Sequence, residues 1–225
     1  IMVGAYAILV TLNITGSPWV GILVSVVVCT LAGIVIERLA YKPLRGASPL
    51  AVLITAIGVS YFLQSMAQLI FGAQSRPVTL PAFSKITIAG AQISTGTIIT
   101  LVVGALIMAG LTVFVKYTRV GRAMQAVSED RGAAQLMGIN VNRIIMITFA
   151  IGSALAAFAS LFYLMQIPST SPTLGAMPGI KAFTAAVIGG IGSIPGAMIG
   201  GVLLGLIEKI CLSVPAISAY TTAIE

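Results

Sequence analysis

The chain has 225 residues, of which 58% are hydrophobic and 8% charged, with a formal net charge of +7 and no histidine. A water-soluble domain needs charged faces to stay in solution, so this composition excludes one and makes a lipid bilayer the solvent. Charge-free runs at 1–36, 46–75, 86–115 and 144–180 each exceed the roughly 20 residues that cross a hydrocarbon core.

The positive charge is therefore no sign of nucleic acid. Lys and Arg gathered in short connections set topology and touch anionic headgroups. Cys29 and Cys211 lie in apolar surroundings without CxxC spacing, and read as small membrane-buried hydrophobes rather than metal ligands or a disulfide framework. The chain begins at Ile1 and ends at Glu225, which reads as an internal fragment lacking at least one helix at each end.

In chain order, 1–12 reads as the end of one span, and 13–18, built from Asn, Gly, Ser and Pro, as a turn. A second span covers 19–36, with Trp19 suited to a headgroup boundary. The basic connection with Arg38, Lys42, Pro43 and Arg45 follows. A third span runs over 49–71, and a polar connection with Arg76, Pro77, Pro81 and Lys85 leads to a fourth over 96–115. A fifth covers 144–166.

The connections at 37–49 and 116–143 hold eight Lys and Arg between them, whereas 72–95 holds two. The excess of positive charge puts the first two on the cytoplasmic side, and alternation makes 13–18, 72–95 and 167–176 external. The expected fold class is all-α: a polytopic transmembrane helical bundle, one domain over 1–225, with 116–143 as a cytoplasmic loop within it.

That loop carries seven of the seventeen charged residues. Ser128 is suited to cap a helix, Glu129 and Asp130 put negative charge at its first turn, and Gly138 takes the left-handed conformation that ends it. A helix over 129–137 follows, about 13 Å long at roughly 1.5 Å per residue. So short a helix is marginal alone and needs a surface to lie on. Ala133, Ala134, Leu136 and Met137 suit a groove in a partner. The alternative is the inner leaflet, with Arg119, Arg122 and Arg131 against anionic lipid.

The string GGIGSIPGAMIGG at 189–201 puts six glycines and a proline into thirteen residues, which no ordinary continuous helix accommodates. Gly196 with Gly200, and Gly201 with Gly205, are successive GxxxG spacings that bring helix backbones close. One reading is packing alone. The other is a break at Gly189, Gly190, Gly192 and Pro195, forming a cytoplasmic turn before a tightly packed helix able to slide or tilt.

The strings GRAMQAVSEDRGAAQLMGINVNRII (121–145), KAFTAAVIGGIGSIPGAMIGG (181–201) and ERLAYKPLR (37–45) resemble the permease subunits of bacterial ABC importers for branched-chain amino acids. The likeness is closest to the smaller of the two paired permeases and covers essentially the whole chain. The resemblance implies transport across the inner membrane, driven by separate ABC ATPase subunits. It also implies a second permease subunit, homologous or identical, and an external or periplasmic substrate-binding protein, with no catalysis and no cofactor in this chain. Glu129, Asp130, Ala133, Ala134, Gly138, Ile139 and Asn140 match the family's ATPase-coupling segment, and 189–196 is a second candidate. If that second candidate is also cytoplasmic, the span from Gly196 to about Cys211 runs outward and places Glu208 and Lys209 near the external face.

The substrate route is weakly marked. Thr55, Gln64 and Thr184 are candidate lining residues, with Ser60, Gln68, Thr148 and Ser153, each also readable as a packing or backbone-bonding group. Apart from Lys181, no charge lies near the middle of a span, so no intramembrane ion pair is expected. Related permeases for urea or sugars remain open as alternatives, as does a self-contained secondary transporter or channel. The five acids sit at span ends or in loops, which disfavours proton coupling. Hydrolytic chemistry lacks its acid and base, and no P-loop GxxxxGK[ST] supplies energy within the chain.

Overall fold

The computed structural model describes residues 1–44, 46–78, 85–88, 91–190 and 192–213. Arg45, Pro81, Ile191 and Glu225 lie outside the described residues. Nine α-helices are found among them: α1 (Met2–Thr15), α2 (Pro18–Ile36), α3 (Pro49–Phe71), α4 (Thr95–Tyr117), α5 (Arg119–Glu129), α6 (Arg131–Leu136), α7 (Val141–Gln166), α8 (Ala176–Ile188) and α9 (Ile194–Ser213). Among the described residues, five helical stretches are long and apolar enough to cross a membrane: Pro18–Tyr41, Leu50–Phe71, Thr95–Tyr117, Val141–Gln166 and Ile194–Cys211. Large apolar side chains on their outer faces are exposed, including Leu23, Leu53, Leu101 and Ile210. A helix clothed in hydrophobes and left open belongs in lipid.

Local signals explain the helix ends. α1 stops where Gly16 turns left-handed at φ 67°, its N–H donating to Leu12 O, and Pro18 begins α2, where a missing N–H costs nothing. The turn expected over 13–18 is thus shorter, because Asn13, Ile14 and Thr15 continue the helix. Ser48 caps α3, its Oγ accepting from the Ala51 N–H, and Pro49 is again a first helical residue. The basic connection after α2 is not a loop at its start. Residues Glu37–Tyr41 form a π-helical turn that extends α2.

Helix α2 is the centre of the packing, lying against both α1 and α7. Small residues make this approach close: a side chain at Gly33 would run into Ser153, and one at Gly4 into Ser160. Ser25 Oγ donates to Gly4 O at 3.1 Å, fixing α1 to α2 with a buried hydrogen bond. Small-residue contacts and interhelical hydrogen bonds hold helices where lipid removes the hydrophobic drive.

The bundle has two distinct ends. At one, Glu37, Arg38 and Lys42 share a cavity of about 270 Å³ with Asn140, Asn142, Arg143 and Met146, so both arginine- and lysine-rich connections meet there. At the other, two connections expected to be external pair as strands. β1 (Arg76–Pro77) and β4 (Ser169–Thr170) are antiparallel, with Arg76 opposite Thr170, and the Val78 N–H donates to Pro168 O at 3.0 Å. A separate hairpin joins β2 (Lys85–Ile88) to β3 (Ala91–Ser94). Val78 and Leu174 are buried with Ala5, Ile8, Leu9 and Leu164.

Candidate functional site

The polar segment folds as two helices where the sequence reading expects one. α4 ends at Tyr117, and Thr118 caps α5 by accepting from the Gly121 N–H at 3.0 Å. Any side chain at Gly121 would overlap Phe114 O and the Val115 backbone, so only glycine permits this sharp turn. Val120, Ala123, Met124 and Val127 recur at helical spacing and form a small core with Ala134, Val141 and Ile144. α5 is therefore a built element that leans on the base of α7.

The cap of the following helix is Asp130, not Ser128. Asp130 Oδ1 accepts from the Gly132 N–H at 2.7 Å and the Ala133 N–H at 3.1 Å. Ser128 lies in the last turn of α5, its Oγ donating to Gln125 O at 2.7 Å. Because the apolar face of α5 runs through Val127, helix continues to Glu129 and the cap moves two residues on. α6 thus spans Arg131–Leu136 rather than 129–137.

Beyond α6, Gly138 adopts φ 80°. Its N–H donates to Gln135 O, and that of Ile139 to Ala134 O, both at 3.0 Å, so the last carbonyls of the helix are satisfied. Asn140 then caps α7, accepting from the Arg143 N–H at 3.1 Å. The four apolar positions of the segment divide: Ala134 points inward and is buried, whereas Leu136 and Met137 are 91% and 82% exposed. Ala133 and the exposed Glu129 and Asp130 share the outer surface.

The glycine-rich string follows α8 and runs into the first turns of α9. Gly190 and Gly192 have φ of 90° and 99°, open only to glycine without strain, and Ser193 Oγ accepts from the Gly196 N–H at 3.2 Å to start α9. Pro195 sits in the first turn of α9. A side chain at Gly189 would meet the Gly196 backbone, one at Gly196 the Gly189 carbonyl, and one at Gly200 the Ala185 carbonyl. Gly201 would make only an ordinary contact, 3.8 Å from the Ala185 Cβ, and Gly205 faces open space. The first GxxxG pair thus lies at the α8–α9 interface and the second beside it. Ile194 lines a cavity with Phe114, Met124 and Thr148, which puts this turn at the basic end with α5.

One pairing went unforeseen. Lys181 Nζ on α8 lies 3.0 Å from Glu208 Oε2 on α9, both side chains about a quarter to a third exposed. The expectation of no ion pair within the spans is therefore corrected: hairpin closure joins two charges that stand 27 residues apart in sequence. The burial of Glu37, 2% exposed, was equally unread, although it is the lone acid among Arg38 and Lys42.

The candidate lining residues have local partners. Thr55 Oγ1 donates to Ala51 O at 2.8 Å, Gln64 Nε2 to Ser60 Oγ at 3.2 Å, and Thr184 Oγ1 to Ile180 O at 3.0 Å. Thr55 and Gln64 lie on α3 and Thr184 on α8.

Among protein families, the one described as branched-chain amino acid transport system / permease component matches residues 1–224. The chain is 48% identical over 189 residues to the high-affinity branched-chain amino acid transport system permease protein BraD of Pseudomonas aeruginosa, covering 82% of this chain and 62% of BraD. Against the corresponding LivH of Escherichia coli K12 it is 45% identical over 197 residues, covering 84% and 63%. The ribose import permease protein RbsC of Haemophilus influenzae is 33% identical over 155 residues, covering 64% and 47%. The chain thus spans a little under two thirds of the length of BraD and of the E. coli LivH. No solved structure matches.

Proposed function

The chain belongs to the branched-chain amino acid transport system permease family, and on that premise we propose that it is a membrane-spanning subunit of an ATP-driven importer of leucine, isoleucine and valine. α6 is the coupling helix: capped at both ends, seated on α5 and α7, and presenting Leu136 and Met137 outward to a groove in an ATPase subunit. The exposure of those two side chains at the basic end is the observation that carries this reading. Water strips no large apolar residue bare at a helix tip without cost, and a partner groove removes it.

Glu129, Asp130, Ala133, Ala134, Gly138, Ile139 and Asn140 build that helix and its two junctions. The basic end faces the cytoplasm by its charge. The turn at Gly189, Gly190, Gly192 and Ser193, at the same end, breaks one glycine-rich membrane element into α8 and α9. There Gly189, Gly196 and Gly200 keep backbones in contact with no interlocking side chains, so a pull on the ATPase side tilts the pair as a unit. Thr55, Gln64 and Thr184 offer the weaker polar contacts of the route. A second permease and an external binding protein complete the importer.

The test is leucine uptake into proteoliposomes holding the permease pair, the ATPase subunits and the loaded binding protein. Accumulation that requires ATP supports the reading, and accumulation without the ATPase subunits refutes it. The 33% identity to a ribose permease favours a second reading in which the cargo is another small solute, decided by running sugars and urea alongside the aliphatic amino acids.

A further inference from the structure

Among the described residues, two side-chain hydroxyls are buried without a hydrogen-bond partner: Tyr6 Oη and Thr170 Oγ1. Tyr6 is 4% exposed and Thr170 not exposed at all. A buried polar atom without a partner costs on the order of 1–3 kcal/mol, and native proteins seldom keep one without a use.

The two residues belong to one neighbourhood. Thr170 stands opposite Arg76 in the β1–β4 pair, and directly opposed residues project to the same face. The Arg76 guanidinium donates to Phe71 O at 2.7 Å, and the Phe71 ring stacks on that of Tyr6 with centroids 4.3 Å apart. Arg76 itself is exposed, with one of its five N–H donors spent on Phe71. An exposed guanidinium in the neighbourhood of two unused hydroxyls is an acceptor-seeking arrangement.

The strand pair is anchored among Ala5, Ile8 and Leu9 of α1 through Val78 and Leu174, beside Leu164 near the end of α7. Beside it, Tyr6 and Phe71 also form part of a groove of about 350 Å³ whose other walls include Val10, Leu63, Ala67 and Ile70. Carboxylate-binding groups next to an aliphatic groove match both halves of an aliphatic amino acid.

We infer that Arg76, Tyr6 and Thr170 form a carboxylate-binding site that takes the α-carboxylate of an aliphatic amino acid as it leaves the binding protein, with its side chain along the Tyr6–Phe71 groove. This rests on the proposed import function. The guanidinium supplies charge, and the two hydroxyls supply hydrogen bonds that no described residue takes up.

The test compares wild type with Tyr6→Phe, Thr170→Val and Arg76→Gln in the full reconstituted importer, measuring labelled leucine uptake, ATP hydrolysis stimulated by the binding protein, and the melting temperature of the complex. Removing an unsatisfied hydroxyl leaves stability unchanged or raised. Each hydroxyl variant should nonetheless move roughly tenfold less leucine per ATP, and Arg76→Gln up to about a hundredfold less, while stimulated hydrolysis stays within about twofold of wild type, as expected if docking of the binding protein is untouched. Unchanged leucine per ATP in the two hydroxyl variants overturns the site. A parallel fall in uptake and stimulated hydrolysis also overturns it, since the carboxylate recognised would then belong to the docked binding protein. Failure of the wild-type complex to take up leucine at all removes the import function and this site with it.

Discussion

Replacing Asp130 by alanine removes the single oxygen that accepts from both the Gly132 and Ala133 N–H groups. α6 has six residues, about 9 Å of helix, and a helix of that length draws little stability from propagation. An N-cap carboxylate is worth about 1–2 kcal/mol and also opposes the positive end of the helix dipole. At roughly 1.4 kcal/mol per factor of ten, its loss shifts the local opening equilibrium about 5- to 30-fold. Hydrogen exchange on a peptide covering 131–138 in the assembled complex should accelerate by that factor in Asp130→Ala. Asp130→Asn and Asp130→Ser should recover most of the protection, since both side chains cap well. Ser128→Ala should exchange within about twofold of wild type, because Ser128 Oγ bonds back to Gln125 within α5 and such a bond contributes little. Acceleration by Ser128→Ala with none from Asp130→Ala would refute this account of how the segment is held.

Three further outcomes follow from the geometry. Gly200→Ala drives a methyl into the Ala185 carbonyl and should destabilise the complex by about 1–3 kcal/mol, as overpacking does; Gly205→Ala, in open space, should be neutral or slightly stabilising in the same thermal melt. Either Lys181→Glu or Glu208→Lys alone leaves like charges facing across α8 and α9 and should cost about 1–3 kcal/mol, with the double exchange restoring most of it. Leu136→Asp should weaken the ATPase subunits' affinity for the permease by more than about tenfold in a pull-down titration, while leaving the permease melt unchanged because Leu136 contacts solvent on its own chain.

The membrane-spanning frame was readable because it rests on short-range rules. The boundaries of α3 follow from Ser48, Pro49 and the loss of apolar residues after Phe71, and at the basic end α4 runs two residues past its expected limit and α7 starts three residues before its own. α5 was missed for a different reason. Its arginines drew the segment into a loop, although Val120, Ala123, Met124 and Val127 carry a helical stripe that outweighs them once α7 is there to receive it.

The cap was misassigned because Ser128, Glu129 and Asp130 stand in tandem, and only the end of α5 decides among them. The strand pair β1–β4 and the Lys181–Glu208 contact bring together residues far apart in the chain, so neither leaves a local trace. The two GxxxG spacings are identical in sequence, and it is the rotation of α9 against α8 that sets Gly196 and Gly200 on the contact and Gly205 off it.

The central claim is that α6 faces the cytoplasm and docks on an ATPase. It is tested most directly by placing a single reactive thiol at its tip, Leu136→Cys, with Cys29 and Cys211 replaced by alanine, and treating intact cells and inverted vesicles with a membrane-impermeant maleimide. The account predicts labelling in inverted vesicles only, and protection of that thiol when the ATPase subunits are bound. Labelling from outside intact cells, or equal labelling with and without the ATPase, would contradict it.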